Sequence, residues 1–529
     1  MTSRFRDEGI WYKLLTVAVV AAVVFFVYRI FTAALMALPF PKELLEPSNI
    51  ALTDLFIEGK SPYSPSSLDW AVPAVNYDYP FLNSLLAAGI ARMTGCDAVT
   101  AHFVISISCI LLSGLIGYRF VARYAKTTVA PFLAALMFMF CHWRFGYVSA
   151  APDDLALLFF LITMMVATNP SVRYKPLWCS IGITVCLYTK QYMVFLAVGI
   201  FIYMLLYSRK DAIKLFAWTV VLNIAVAAVI TFSWPLYWMR AFVFTYLGSF
   251  FGGGFKLVTA LEQFKYILVS FAALFVILAV AIITAVRKRI AEKGARPAGP
   301  RFKENDIFTL CAVNSIVMLA PLFVLGRNDG AFISYFLQLW MPSVSVVTLV
   351  SFERMKPDKT SVIYGGAYAL IAAFTVYFGF GKLPLHVLTT PELATWQQAY
   401  EYTARSSDEG YVFYARSLAY DGFARQNGDW FCGHDGEVGD HTVKYMEYSG
   451  IDPARFPYVQ KLVDQNNDYR RRVLERIENH EYALITFEEN GTYSIVNDEV
   501  CEEAGYRRID VLPLQVGNMP YDVAFYVPR

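Results

Sequence analysis

The chain has 529 residues, of which 57% are hydrophobic and only 17% charged, with a formal net charge of +2. A soluble globular protein carries nearer to about a quarter charged residues, so a single water-soluble domain is excluded. The near-neutral balance gives no basic surface for a nucleic-acid partner.

The apolar excess lies in runs of about twenty residues before position 385, each on the scale needed to cross a bilayer as a helix. An unpaired backbone polar group in lipid costs several kcal/mol, so these runs must be helical. The predicted spans are 14–38, 99–118, 128–147, 153–168, 176–189, 192–208, 213–232, 265–286, 307–325, 332–352 and 361–381. The fold class is therefore an α-helical polytopic membrane protein with about eleven transmembrane helices. Met1 to Lys13 is short and basic. The run after it is too long for a signal-peptide core and lacks a small-residue cleavage site, so it reads as an uncleaved first span. The fifth and sixth spans are short and meet at Lys190, as in a tilted or broken helix.

Lys and Arg in the short loops give the orientation. With the N-terminus cytoplasmic, the inner segments hold Arg4, Arg6 and Lys13, then Arg119, Arg123 and Lys126, then Arg209, Lys210 and Lys214, with a dense basic group from Arg287 to Lys303. The outer loops hold isolated cations. An odd number of spans places the C-terminal region, 385–529, outside the cytoplasm, and the plasma membrane is the expected location. The first outer loop, 39–98, is about 60 residues long, a length that is usually functional. Its stretch FLNSLLAAGIARM, from Phe81 to Met93, has apolar residues at helical spacing and fits an interfacial amphipathic helix. The region 385–529 predicts a small extracytoplasmic α/β domain, with a charged helix over 464–478 and strands over 482–487, 493–496 and 523–527.

Eight cysteines are scattered without metal-ligand spacing. Cys109, Cys141, Cys179, Cys186 and Cys311 fall in or beside apolar runs and read as packing residues. Cys432 and Cys501 lie in the outer region, where a disulfide is compatible with the compartment.

Four groups of residues can carry chemistry, because charges at the mouth of a helix bundle are costly and tend to be functional. Glu46 and Asp54 follow the first span. Either can serve as a general base for a hydroxyl, or both are solvated loop acids, with Glu46 a helix cap. Asn76-Tyr77-Asp78-Tyr79-Pro80 makes a rigid turn. Pro152-Asp153-Asp154 opens the fourth span. The helix dipole favours acids there, and two adjacent acids also suit a metal, sugar or cation contact. The isolated outer cations Arg144, Lys190, Arg240, Lys256 and Arg327 can meet a phosphate at the headgroup plane; the alternatives are snorkelling or an ion pair with Asp153 or Asp154.

Taken in order, these pieces resemble the GT-C glycosyltransferases of the protein O-mannosyltransferase and aminoarabinose-transferase kind. Glu46 stands 13 residues before Gly59, which opens Gly59-Lys60-Ser61-Pro62-Tyr63. Tyr79-Pro80-Phe81-Leu82 is similar to the family's Tyr-Pro-Pro-Leu element, Ala151-Pro152-Asp153-Asp154 to its acidic opening of the fourth span, and Thr189-Lys190-Gln191 to its Thr-Lys-Gln. Gly330-Ala331-Phe332-Ile333-Ser334-Tyr335-Phe336 looks like its late Gly/Tyr-Phe element. The sequence departs from the pattern where Glu46 replaces the usual Asp, Phe81 the second proline, and Ala151 an arginine.

The resemblance implies a membrane enzyme that moves a sugar from a polyprenyl-phosphate carrier to a hydroxyl on a glycan, lipid or protein. It assigns Glu46 as base with Asp54 as alternative. Asp153, Asp154, Tyr79, Lys190, Arg240, Arg327 and Tyr335 become substrate contacts, and the isoprenoid tail lies along the aromatic loop 233–256. The resemblance fixes no definite cofactor, and a divalent cation is compatible with the acids. No phosphate-cradling loop or dinucleotide fingerprint points to a nucleotide sugar. The rival readings are a lipid-linked substrate transporter or flippase and a non-catalytic envelope-assembly protein. A transporter would show repeat-related halves and midplane polar residues. Here no repeat is visible and the polar residues gather at one end.

Overall fold

The computed structural model describes residues 5, 7–38, 40, 46–70, 79–143, 146–243, 257–291, 304–325, 333–355, 362–383, 385–419, 428–430, 452, 455–489, 495–516 and 519–529. A helix stands at each of the eleven predicted positions. In chain order these are α1 (Ile10–Ala37), then α4 (Ala98–Ala122), α5 (Val129–Phe140), α6 (Asp153–Ala167), α7 (Lys175–Thr189), α8 (Phe195–Tyr207) and α9 (Arg209–Ser233). They continue with the pair α10 (Leu257–Ser270) and α11 (Ala272–Ala291), the pair α12 (Ile307–Val317) and α13 (Leu319–Leu325), the pair α14 (Ile333–Leu339) and α15 (Met341–Arg354), and α16 (Val362–Tyr377). The first long loop supplies α2 (Glu46–Ile57) and α3 (Leu82–Thr94).

Among the described residues five helices are long and apolar enough to cross a membrane, and the number reaches seven if α10–α11, bent by 82°, and α14–α15, bent by 51°, each form one broken span. The eleven crossings expected from the sequence are thus not all full-length. Helices α5 to α8 have only 12 to 15 residues. At 1.5 Å per residue they reach roughly 18–23 Å, short of a hydrocarbon core of about 30 Å. Short helices survive at membrane depth because the protein itself surrounds them: nearly every residue of α5 is buried. Helix α9 shows the opposite case. Ile213, Phe216, Trp218, Val221, Ile224, Val229 and Phe232 all face outward, an apolar surface of the kind that lipid covers.

Buried carboxylates close the end where the chain begins. The Thr128 backbone N–H and hydroxyl both donate to Glu8 at 2.6 Å. Lys126 N–H donates to Glu353 at 2.7 Å, as do the hydroxyls of Thr127 and Tyr368. These acids satisfy N–H groups at and before the start of α5 that helix geometry leaves unpaired.

The far end of α1 meets the C-terminal layer. That layer comprises α17 (Thr390–Glu409), β1 (Tyr411–Tyr414), β2 (Gly428–Trp430), α18 (Pro457–Glu478), β3 (Tyr482–Glu488), α19 (Asp498–Glu503), β4 (Tyr506–Val516) and β5 (Met519–Pro528). The sheet order is β2-β1-β3-β5-β4, with β2, β1 and β3 parallel and β5 antiparallel to both β3 and β4. Side chains alternate across the sheet. Val412, Tyr414, Leu484, Val523 and Phe525 join the core that contains Trp396 and Ala399 of α17; Phe413, Ile485, Ala524 and Tyr526 pack with Tyr469, Val473 and Ile477 of α18. One sheet between two helices is a three-layer α/β arrangement.

The predicted helix and the strands over 482–487 and 523–527 are present. The strand expected over 493–496 is not formed at Ile495 and Val496, because Asn497 turns the chain into α19 by accepting a hydrogen bond from Val500 N–H at 2.9 Å. Residues 493 and 494 lie outside the described set, as does Cys432, the proposed partner of Cys501; Cys501 is a buried free thiol.

Phe40 stacks on Trp396 at 5.0 Å, Arg29 donates to the Leu385 carbonyl at 2.9 Å, and the Trp396 indole donates to the Gln515 carbonyl at 3.0 Å. The chain therefore starts at one end of the bundle and its sheet sits at the other. Trp396→Ala is expected to cost about 3–5 kcal/mol by removing a fully buried aromatic side chain. Limited proteolysis in detergent should then cut the C-terminal layer while the helical bundle persists; wild-type resistance would contradict this docking.

Candidate functional site

Helix α7 breaks at Lys190, whose extended backbone (φ −151°) leads into the short 3₁₀ turn Gln191–Val194. The break turns the Lys190 side chain inward at the sheet-bearing end. Its ammonium lies 2.5 Å from Asp153 Oδ2, with both side chains at most 3% exposed. Asp153 begins α6, where the dipole favours an anion, and Lys190 ends α7, where it favours a cation. The Tyr192 hydroxyl lies 3.0 Å from the other Asp153 oxygen and 2.5 Å from Gln338 Oε1, its single proton shared between these two acceptors. The Lys190 ammonium also sits 3.8 Å from the centre of the Tyr79 ring and 5.4 Å from that of Tyr192, a cation–π geometry. Tyr335 meets Tyr192 edge-on at 4.7 Å. Four sequence-predicted residues (Tyr79, Asp153, Lys190 and Tyr335) thus converge, and the ion-pair alternative for Lys190 is the one realised.

Asp154 points into a separate buried network. It accepts from the Ser106 hydroxyl and from His142 Nδ1 at 2.8 Å. Ser106 also accepts from Ser149 N–H at 3.3 Å. Asp154 therefore fixes the segment that delivers Asp153.

A further polar strip runs from α2. Asn83 Nδ2 donates to His102 Nδ1 at 3.3 Å and to the Ala150 carbonyl at 3.1 Å. With Nδ1 accepting, Nε2 carries the imidazole proton and donates to Thr53 Oγ1 at 2.7 Å. Thr53 in turn donates to the Asn49 carbonyl, which also receives Ser84. Helix α3 thus buries Asn83, Ser84, Ala87, Ala88 and Ala91 and leaves Leu85, Leu86 and Met93 exposed, the arrangement expected of an interfacial helix.

Glu46, Asn49 and Thr53 fall on one stripe of α2, at the i, i+3, i+7 spacing. Only the backbone of Glu46 is described. Asp54 lies off that stripe, near Glu58 and Asp97. Burial first, and then those two carboxylates, push its acid up to about 7. Gly59 ends α2 at φ +77°, a turn that glycine adopts without strain. Arg240 is buried and donates to Ser67 Oγ at 3.4 Å, while Gln191 Nε2 donates to the neighbouring Ala241 carbonyl at 2.8 Å. Arg144, Lys256, Arg327, Asn76, Tyr77, Asp78 and the loop after 243 lie outside the described residues.

Among the described residues no group of three His, Cys, Asp or Glu side chains is placed to hold a metal ion. Sequence reasoning missed Tyr192, Gln338, Ser106 and His142. Tyr192 stands within the TKQYM stretch and was legible there; the others require the packing of α4, α6 and α14.

Solved structures share this architecture. ArnT from Cupriavidus metallidurans bound to undecaprenyl phosphate superposes over 96% of this chain and 98% of its own, with a TM-score of 0.50 at 11% identity. The oligosaccharyltransferase of Archaeoglobus fulgidus in complex with Zn and sulfate matches 91% of this chain and 72% of its own, with a TM-score of 0.46 at 11% identity. The archaeal oligosaccharyltransferase AglB with an inhibitory peptide and a dolichol-phosphate matches 90% and 69%, with a TM-score of 0.44 at 10% identity. No family model and no curated protein matches the sequence. At this identity the likeness to ArnT establishes the fold alone.

Two measurements probe the site. Lys190→Met should cost about 3–5 kcal/mol by leaving Asp153 charged and unpaired. Adding Asp153→Leu should restore most of the thermal stability; a double variant as unstable as the single one would contradict the pairing. For Asp54 the folded state raises the pKa. Its stabilising contribution is complete below the ordinary carboxylate value and is lost as pH rises towards about 7. Asp54→Asn should therefore gain melting temperature relative to wild type as pH rises through that window and then level off. A pH-independent difference would show that Asp54 is not desolvated.

Proposed function

We propose that this chain is a membrane glycosyltransferase that moves a sugar from a polyprenyl-phosphate carrier to an acceptor hydroxyl, with inversion at the anomeric carbon. The observation that supports it most is the buried Lys190 ammonium, held by Asp153 and bracketed by Tyr79 and Tyr192, at the sheet-bearing end of a bundle with the ArnT fold. A lysine kept out of water and ringed by aromatic faces suits a phosphate whose negative charge grows as its bond to carbon breaks. In this reading residues 1–384 form the transmembrane part in the plasma membrane, with the N-terminus cytoplasmic and the layer 385–529 extracytoplasmic.

The bond between the anomeric carbon and the carrier phosphate oxygen breaks as the acceptor oxygen attacks from the opposite face. The phosphate leaves with the electron pair, and Lys190 and Arg240 meet its charge. A carboxylate takes the acceptor proton. The arrangement of acid and base across the sugar is that of an inverting glycosidase, with an acceptor hydroxyl in place of water. Glu46 is assigned as this base, because it shares a stripe of α2 with Asn49 and Thr53, which face His102, Asn83 and the approach to Asp153. Tyr335 supports Tyr192 in the same wall. Arg327 completes the assigned substrate contacts, and Asp154, held by Ser106 and His142, supports them by fixing Asp153. A divalent cation would have to replace Lys190 on Asp153 Oδ2, so neutralisation is given to Lys190. The acceptor is a glycan, lipid or protein hydroxyl.

Protein in nanodiscs, given a panel of polyprenyl-phosphate sugars, should release or transfer sugar from at least one. Glu46→Gln should lower that rate about 10²–10⁴-fold with folding preserved, whereas Asp54→Asn should retain most of it. Wild-type rates in Glu46→Gln would remove the assigned base, and the absence of turnover across the panel would remove the enzyme reading.

A further inference from the structure

Helix α18 belongs to the sheet layer, yet it reaches back to the first long loop. The Gln465 side-chain amide donates both of its hydrogens to that loop, at 3.0 Å to the Ser67 carbonyl and 3.1 Å to the Trp70 carbonyl. Two carbonyl acceptors fix which way the amide points. Three residues earlier on the helix, Leu462 packs against Leu68 of the loop and Met239 of the segment after α9. The loop residue gripped in this way is the one that contacts Arg240. Ser67 is fully buried, its single hydroxyl proton is shared between the Pro62 and Ser64 carbonyls, and it accepts from Arg240 Nη2 at 3.4 Å. The segment carrying Arg240 is tied twice more, by Leu236 N–H to the Tyr63 carbonyl at 3.0 Å and by Gln191, adjacent to Lys190, to the Ala241 carbonyl at 2.8 Å.

We propose that Gln465 is a positioning residue: through Ser67 the C-terminal layer holds Arg240 where it meets the anionic headgroup of the lipid carrier. This rests on the function proposed above. Gln465 touches no substrate; it adds two hydrogen bonds to the 67–70 end of a loop that is otherwise anchored at Tyr63 and Leu68. Arg240 is buried, so a shift of the loop changes the direction of a charge that has little water to screen it. The C-terminal layer thereby becomes part of the binding machinery for the carrier phosphate.

The test uses the full chain in nanodiscs, with undecaprenyl phosphate as the probe and two readouts. In Gln465→Leu, amide hydrogen exchange should quicken over residues 61–70 and 236–243, while the sheet amides of 482–488 and 519–528 stay as protected as in wild type. Affinity for undecaprenyl phosphate should fall about 3- to 10-fold, the size of one or two lost hydrogen bonds. In an Arg240→Gln background the same substitution should have no further effect on affinity. Unchanged exchange over 61–70 overturns the clamp whether or not the protein is a transferase. Faster exchange with wild-type affinity, or an equal loss in the Arg240→Gln background, overturns the positioning of Arg240. If Arg240→Gln alone binds as wild type, the anion-binding role of Arg240 fails and the inference falls with it. If wild type binds no undecaprenyl phosphate, the proposed function fails, and the exchange result still decides the clamp.

Discussion

A lysine and an aspartate facing each other out of contact with water make the most demanding feature of this protein. Removing each charge from water costs several kcal/mol even after relaxation, and their attraction repays that only in good geometry with the remaining valences filled. The structure meets the requirement in three ways. Asp153 sits at the positive end of α6 and Lys190 at the negative end of α7, so two helix dipoles oppose the desolvation. Tyr192 fills the second Asp153 oxygen, and the faces of Tyr79 and Tyr192 take part of the ammonium's field. A hydrophobic pair would be easier to bury.

The surrounding elements serve to keep those two side chains in register. Asp154, next to Asp153, is bound by Ser106 of α4 and by His142, so α6 cannot rotate without breaking buried hydrogen bonds. The strip Asn49–Thr53–His102–Asn83 joins the first loop to the segment just before α6. From the other side, the 61–70 loop and the sheet layer hold the segment of Arg240. The polar interior and the apolar exterior follow one rule. Lipid covers apolar side chains such as those of α9 at no cost, and every buried donor must find its acceptor inside.

Much of this was legible in the residue order. Runs of apolar residues placed a helix at every expected position, because in lipid a backbone has few other options. The isolated Lys190 between two apolar stretches and the acids at Pro152-Asp153-Asp154 stood out for the same reason. What could not be read was length and partnership. Helices α5 to α8 are too short to cross alone, and for α5 and α6 burial by neighbours on nearly every side explains how they persist. Whether Lys190 would snorkel or pair with Asp153 depended on the backbone break that turns it inward. His142 and Gln338 are single polar residues in apolar stretches, and nothing local distinguishes them from core polar residues. In the sheet layer, the strand Tyr506–Val516 carries Arg507, Arg508, Asp510 and Pro513, which mask its alternation; it is tolerated because β4 is an edge strand.

The two acids of α2 show how an acid constant and a position can argue in opposite directions. Asp54, pushed up to about 7, has the value that an efficient base near neutral pH would have. The causes of that value, however, are burial and two other carboxylates, Glu58 and Asp97, so its electrostatic surroundings are acidic. At about 100° per residue, Asp54 is turned roughly 80° from Glu46 and 100° from Thr53 around the helix. A base has to reach the proton it removes before its pKa matters. The stripe of Glu46, Asn49 and Thr53 is the face tied through His102 and Asn83 to the approach of Asp153, and that geometric argument outweighs the tuned acidity of Asp54. Its raised value is then the consequence of crowding three acids where the loop folds back on α4, a strain that the fold tolerates because the carboxyl can keep its proton.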